Sequence, residues 1–185
     1  EAEKVYHKRE TEKEKEALND IARSIQEVYN FSLIPEDKNF KRPEEITEQM
    51  GGGMLVDKST FSVKVCRCGN GFLITMPDTR DMTEEISWFA EGIATLVFGM
   101  KFNVSENDFM KNPNMKAYVP KYREQECICY LSDELACPNN KILATMMKCQ
   151  DANGTFRVKD VSAKMGLRRD FLESRMISCG LISRW

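Results

Sequence analysis

The side chain with the clearest chemical potential is Glu91, which lies between two alanines at helical spacing. The stretch Ala90-Glu91-Gly92-Ile93-Ala94 has the shape of a zinc-binding H-E-x-x-H helix, with alanine at each histidine position. In that helix, two imidazoles at i and i+4 share one face and hold the metal, and the glutamate activates a metal-bound water. Alanine can do neither job, and the chain has one histidine, His7. The sequence therefore excludes a two-histidine zinc site.

Hydrophobic periodicity offers a structural interpretation of the same stretch. Apolar residues recur at i, i+3, i+4, i+7, i+8 and i+11, which predicts one buried helical stripe: Ile86, Phe89, Ala90, Ile93, Ala94 and Val97. Glu91 falls on another face, with Ser87 and Thr95. Two small residues on the stripe would let a second element pack close to the helix, so spacing alone does not require a lost metal site.

The seven cysteines offer a second possible chemistry. Their number is odd, and several lie in runs typical of strand or helix interiors, which favours reduced thiols in a cytoplasm. Neither Cys66-x-Cys68 nor Cys127-x-Cys129 has the C-x-x-C spacing of zinc knuckles. Cysteine-protease chemistry needs a base beside the thiol, and His7 is the one histidine that could serve. We favour buried thiols that act as small apolar side chains.

The charge and composition of the chain limit the kinds of partner that it is expected to bind. The chain has 185 residues, 30% of them charged, and a net charge of −2. This balance gives no general attraction to nucleic acids or anionic membranes. No apolar run approaches the ~20 residues that span a bilayer, and the highly charged N-terminus does not resemble a signal peptide. We therefore expect a cytoplasmic protein with no membrane partner.

The helices and strands that must position these residues can be predicted from hydrophobic periodicity and from the proline and glycine residues that interrupt it. We predict a mostly helical α+β fold with a small antiparallel sheet, built on a hairpin at about 61–76 with a third strand at 54–57. The division we expect is a charged N-terminal helix (1–35), a central domain (36–150) and a C-terminal helical pair (151–185) on the same core. Helices are predicted at residues 1–30, 82–100, 121–136, 139–150, 158–165 and 168–179.

Three stretches, in order, resemble the ImmA/IrrE family of zinc metallopeptidases. ISWFAEGIATLVFG is similar to the family's H-E-x-x-H helix, and CICYLSDELACP is similar to the segment that carries its third zinc ligand. VKDVSAKMGLRRDFLESRMISCGLI resembles the family's C-terminal helix-turn-helix-like pair. The resemblance implies a zincin-like domain. It places the former metal ligands at Ala90, Ala94 and Cys127, or Glu126 if the register slips by one, and the general base at Glu91.

Active members of this family bind zinc and cleave helix-turn-helix repressors. The expected function of this chain therefore depends on the positions at which it differs from the family's zinc-binding pattern. With both histidine positions and the third ligand position changed, the resemblance implies a metal-free relative that acts by binding a protein. The alternative is an active zinc peptidase that cleaves a helix-turn-helix repressor and is inactivated here by histidine-to-alanine substitution at positions 90 and 94. The expected partner is a helix-turn-helix transcriptional regulator. We expect no cofactor in this chain.

The C-terminal pair leaves one further alternative, a DNA-binding regulator acting through residues 158–182. Four basic residues lie near the start of its second helix, where a DNA-reading helix carries its contacts: Lys164, Arg168, Arg169 and Arg175. In the family this segment is structural, so nucleic acid is not the partner that we favour.

Overall fold

A computed structural model describes the backbone of residues 2–100 and 117–183, and the side chains within those ranges from Glu12 onward. His7 therefore has its side chain outside the described part. The fold is α+β, as predicted. The described elements are α1 (Ala2–Val28), α2 (Pro43–Gln49), β1 (Gly53–Asp57), β2 (Lys64–Cys68), β3 (Gly71–Pro77), α3 (Met82–Phe98), α4 (Tyr122–Ala136), α5 (Asn139–Cys149), α6 (Val158–Met165) and α7 (Arg169–Ser178).

The sheet is mixed, which corrects the predicted antiparallel sheet. Strands β2 and β3 form the expected antiparallel hairpin, with Val65 opposite Ile74. The third strand, β1, pairs in parallel with β3, with Met54 opposite Ile74 on its other side. The strand order is therefore β1-β3-β2. The central position of β3 explains the difference, because β1 runs in the same direction as the second arm of the hairpin.

The hairpin also begins later than the predicted residue 61. The Asp57 carboxylate accepts a hydrogen bond from the Ser59 amide at 2.8 Å, and the Thr60 amide donates to the Asp57 carbonyl at 3.3 Å. These bonds turn the chain after β1, in the manner of an Asx turn. Phe61 is left 94% exposed. Alternation of Phe61, Val63 and Val65 resembled a strand, but local side-chain hydrogen bonds compete with the ladder here.

One hydrophobic core runs through the described part of the chain, from Leu18 of α1 to Met176 of α7. Helix α3 packs on the sheet and against α4, and α1 packs on α4. Gly92 allows the close approach of α3 to the sheet, because a Cβ at this position would lie 2.7 Å from Cγ2 of Ile74. None of the described helices has the length and apolar content needed to cross a bilayer.

The C-terminal helices α6 and α7 are joined by Gly166, Leu167 and Arg168. Gly166 caps α6 in the left-handed conformation (φ 66°), which glycine adopts at little cost. Leu172 and Met176 of α7 are fully buried in the shared core. The zincin-like fold and the helix-turn-helix-like geometry of this pair stay predictions.

Candidate functional site

Helix α3 carries the positions singled out by the H-E-x-x-H pattern. It begins at Asp81, whose side chain accepts a hydrogen bond from the Glu84 amide at 2.9 Å, a favourable N-cap. Ala90 and Ala94 are both 0% exposed. Both alanines are therefore closely packed within the protein interior, as the predicted buried stripe requires.

Glu91 lies on the adjacent, partly buried face of α3, between Ser87 and the buried Thr95. In the described part of the chain, no hydrogen bond or ion pair involves its carboxylate, and burial raises its pKa. The cause is desolvation, which disfavours the charged form. Glu91 is thus a partly buried carboxylate that no described residue holds by a hydrogen bond or an ion pair.

Replacing Glu91 with glutamine should stabilise the protein at neutral pH. A pKa raised in the folded state gives stability that is present below the usual value of 4.5 and is lost as pH rises through the folded-state pKa. Glutamine removes this loss. We therefore expect the melting temperature of Glu91→Gln to equal or fall below that of the wild type at pH 4 and to exceed it at pH 7. Calorimetry at both pH values checks this, and an excess that does not grow with pH would contradict it.

The proposed third ligand position, Cys127, faces α1. Its thiol donates to the Glu14 carboxylate at 3.5 Å. Burial raises the pKa of Cys127, with further increases from Glu14, which disfavours the thiolate that a metal ligand needs. Cys127 lines a small pocket between α1 and α4, and the alternative position, Glu126, is an exposed residue of that pocket. Within the described ranges, no group of three or more His, Cys, Asp or Glu side chains is placed to hold a metal ion.

The four basic side chains that the sequence suggested as nucleic-acid contacts all contact other groups of this chain. Lys164 donates to the Lys148 carbonyl at 3.2 Å, and Arg169 pairs with Glu173 at 3.6 Å. Arg168 contacts three carboxylates, which belong to Asp81, Glu84 and Asp170. Arg175 is buried and pairs with Glu134, so it does not belong to a surface that DNA could reach. Arg168, Arg169 and Arg175 therefore have carboxylate partners, whereas the Lys164 ammonium contacts a carbonyl and keeps its charge.

The open edge of the sheet is a feature that the sequence analysis did not single out. In the described part of the chain, β1 has one strand neighbour, β3, so its other edge lacks a paired strand. Leu55 and Val56 on this strand are 42% and 47% exposed. Two consecutive apolar residues on a short strand are the sequence signal of this edge, but strand order is needed to recognise it.

Comparison with known proteins does not assign the chain to a family. No family model matches the chain, and no curated protein matches it. The likeness to the ImmA/IrrE family therefore rests on the three sequence stretches described above.

Proposed function

We propose that this protein is a non-catalytic relative of the ImmA/IrrE metallopeptidases that acts by binding another protein. The buried alanines at positions 90 and 94 and the orientation of Cys127 toward α1 support the loss of catalysis. The partner implied by the resemblance is a helix-turn-helix transcriptional regulator. Glu91 is then a remnant of the family's general base.

The observation that carries the binding role is the open edge of β1. An unpaired strand edge offers backbone donors and acceptors to an extended segment of another chain, and neighbouring side chains supply specificity. Leu55 and Val56 add exposed apolar surface along that edge. An extended partner segment that adds a strand to β1 would cover both the backbone groups and this apolar surface.

The charge beside this edge indicates the chemistry of the partner. Helix α2 packs against β1 and carries three exposed glutamates, Glu44, Glu45 and Glu48. Charges of opposite sign across an interface favour encounter and fix orientation. We therefore expect the partner's extended segment to be basic, which is a common property of proteins that bind DNA.

The experiment compares three full-length baits in cells of the source organism: the wild type, Leu55→Lys with Val56→Lys, and Leu143→Lys with Met147→Lys. The control pair is also exposed and apolar but lies on α5. Lysines on the edge should oppose strand addition and repel a basic segment.

We expect a transcriptional regulator to be enriched with the wild type and the control. The edge variant should lose about tenfold or more of that binding, since interface side chains that matter contribute more than about 1 kcal/mol each. Calorimetry with the purified regulator gives the affinity ratio. Equal binding to all three baits would rule out the β1 edge, and cleavage of the regulator by the wild type would rule out the non-catalytic role.

A further inference from the structure

A second site lies far along the chain from Glu91, between the C-terminal half of α1 and the start of α5. It is a cavity of about 460 Å³, within the range of small-molecule sites. The buried residues Ala22, Phe31 and Pro138 form apolar parts of its lining. The proposed function makes no use of this cavity.

The lining is rich in side-chain amides. Six of its fifteen residues are Asn or Gln: Asn19, Gln26, Asn30, Asn39, Asn139 and Asn140. Each amide offers both donors and an acceptor. Two are partly committed, because the Tyr130 hydroxyl donates to Asn19 at 3.0 Å and Gln26 donates to the Leu135 carbonyl at 3.0 Å. The remaining amide groups leave a mixed set of donors and acceptors around the cavity.

One acceptor in this set is both buried and unpaired. Within the described part of the chain, Oδ1 of Asn139 has no hydrogen-bond partner. A buried polar atom without a partner costs free energy, so such atoms in native proteins call for an explanation. Because Oδ1 of Asn139 is shielded from solvent, a ligand in the cavity would pair with it only after the Asn139 side chain turns toward the cavity.

The charges in the lining do not favour an anion. Arg23 and Lys141 are balanced by Glu27 and Glu134. Lys141 already pairs with Asp37 at 3.0 Å, and Arg23 pairs with Asp20 at 3.3 Å. The N-terminus of α5, which would otherwise attract phosphate, already donates its Asn139 amide to the Glu134 carboxylate at 3.2 Å. Because the positive and negative side chains of the lining are equal in number, the cavity suits a ligand with no net charge.

We propose that this cavity binds a small, uncharged, hydroxyl-rich molecule of the sugar or polyol class. Hydroxyl groups both donate and accept, as do the six amides, and one ligand hydroxyl would donate to Asn139. The one aromatic residue of the lining, Phe31, is buried at 2% exposure, so the cavity offers no open ring face on which a nucleobase could stack. The amide-rich lining therefore fits a polyol better than a nucleoside.

The test is NMR of the ¹⁵N-labelled full chain, which observes side-chain amides directly. The probes are D-glucose, maltose and myo-inositol, each titrated separately to millimolar concentration, with adenosine and inorganic phosphate as contrasting ligands. Three variants accompany the wild type: Asn139→Leu, Asn30→Gly and, as a control on the β2–β3 turn, Asn70→Leu. Asn30 has a positive φ of 47°, so glycine removes its amide without straining the backbone.

We expect at least one polyol to shift the Asn139 and Asn30 side-chain signals saturably. Asn139→Leu and Asn30→Gly should each weaken that binding, Asn139→Leu by about tenfold, because a ligand hydroxyl loses its buried partner. Asn70→Leu should bind as the wild type does. The proposal is overturned if none of the three polyols shifts these signals, if both cavity variants bind with unchanged affinity, or if adenosine or phosphate binds there in preference. Because Asn30→Gly preserves the backbone, a folding defect in Asn139→Leu would still leave the test decisive.

Discussion

Replacing Arg175 with alanine is expected to destabilise the protein by about 3–5 kcal/mol, because it leaves a buried carboxylate without its counter-charge. Arg175 is 4% exposed. Its guanidinium donates to the Glu134 carboxylate and, through Nε, to the Cys137 carbonyl at 3.2 Å. This group fastens α7 to the end of α4, so its loss affects the attachment of the C-terminal helices as well as one ion pair.

Urea unfolding of Arg175→Ala and of Arg169→Ala gives the comparison. Arg169 is on the same helix, but its ion pair with Glu173 is exposed, so its loss should cost less than about 1 kcal/mol. The double variant Arg175→Met with Glu134→Leu should recover part of the loss, since it buries no unpaired charge. A cost for Arg175→Ala no greater than that for Arg169→Ala would show that the buried pair does not stabilise the fold.

The loss should also depend on pH. Burial raises the pKa of Glu134, and Arg175 opposes that rise. Without Arg175 the folded-state pKa rises further, so the carboxyl group contributes stability at low pH that is lost as pH increases. The difference between Arg175→Ala and the wild type should therefore shrink toward acidic pH.

Introducing histidine at positions 90 and 94 together is the second change with a large expected effect. Ala90 and Ala94 are 0% exposed, so each imidazole would overpack the interior at a cost of about 1–3 kcal/mol. The variant Ala90→His with Ala94→His should therefore be several kcal/mol less stable than the wild type. Zinc should not recover this loss, because Cys127 points toward Glu14 on α1. The wild type should contain less than one zinc per chain by elemental analysis.

A matched control uses Leu143→His with Met147→His, which places two histidines at i and i+4 on the exposed face of α5. This pair should bind zinc without a large loss of stability. Thermal unfolding with and without zinc measures both variants. If zinc raises the melting temperature of Ala90→His with Ala94→His and cleavage of a repressor appears, the metal site is intact and the alanines are its one defect.

The helices could be predicted because their signals are local. Val158–Met165 was predicted at its observed bounds, and α3 ends two residues before its predicted limit. The pairing of β1 could not be predicted, because parallel partners are set by distant parts of the chain. Phe61 was misassigned to a strand, since the alternation there competes with turn-forming bonds around Asp57.

In the candidate site, too, features with a local sequence signal could be predicted and features set by distant contacts could not. Periodicity correctly placed Ala90 and Ala94 on a buried stripe. The direction of Cys127 depends on the docking of α1, more than a hundred residues away in the chain, and no local pattern reports it. Arg175 had an overlooked signal, because it falls three residues after Leu172 and beside Met176, on the buried face of α7.

The contact between α1 and α4 means that α1 is synthesised well before the helix on which it packs. Gln26 of α1 donates to Leu135 of α4 across 109 residues. At ~5–20 residues per second, α1 waits roughly 5–20 seconds during translation before this partner exists. Its apolar side, with Leu18, Ile21, Ala22 and Ile25, lacks that cover for this interval. The nascent chain therefore exposes these apolar side chains for that interval, which gives chaperones a segment that they can bind.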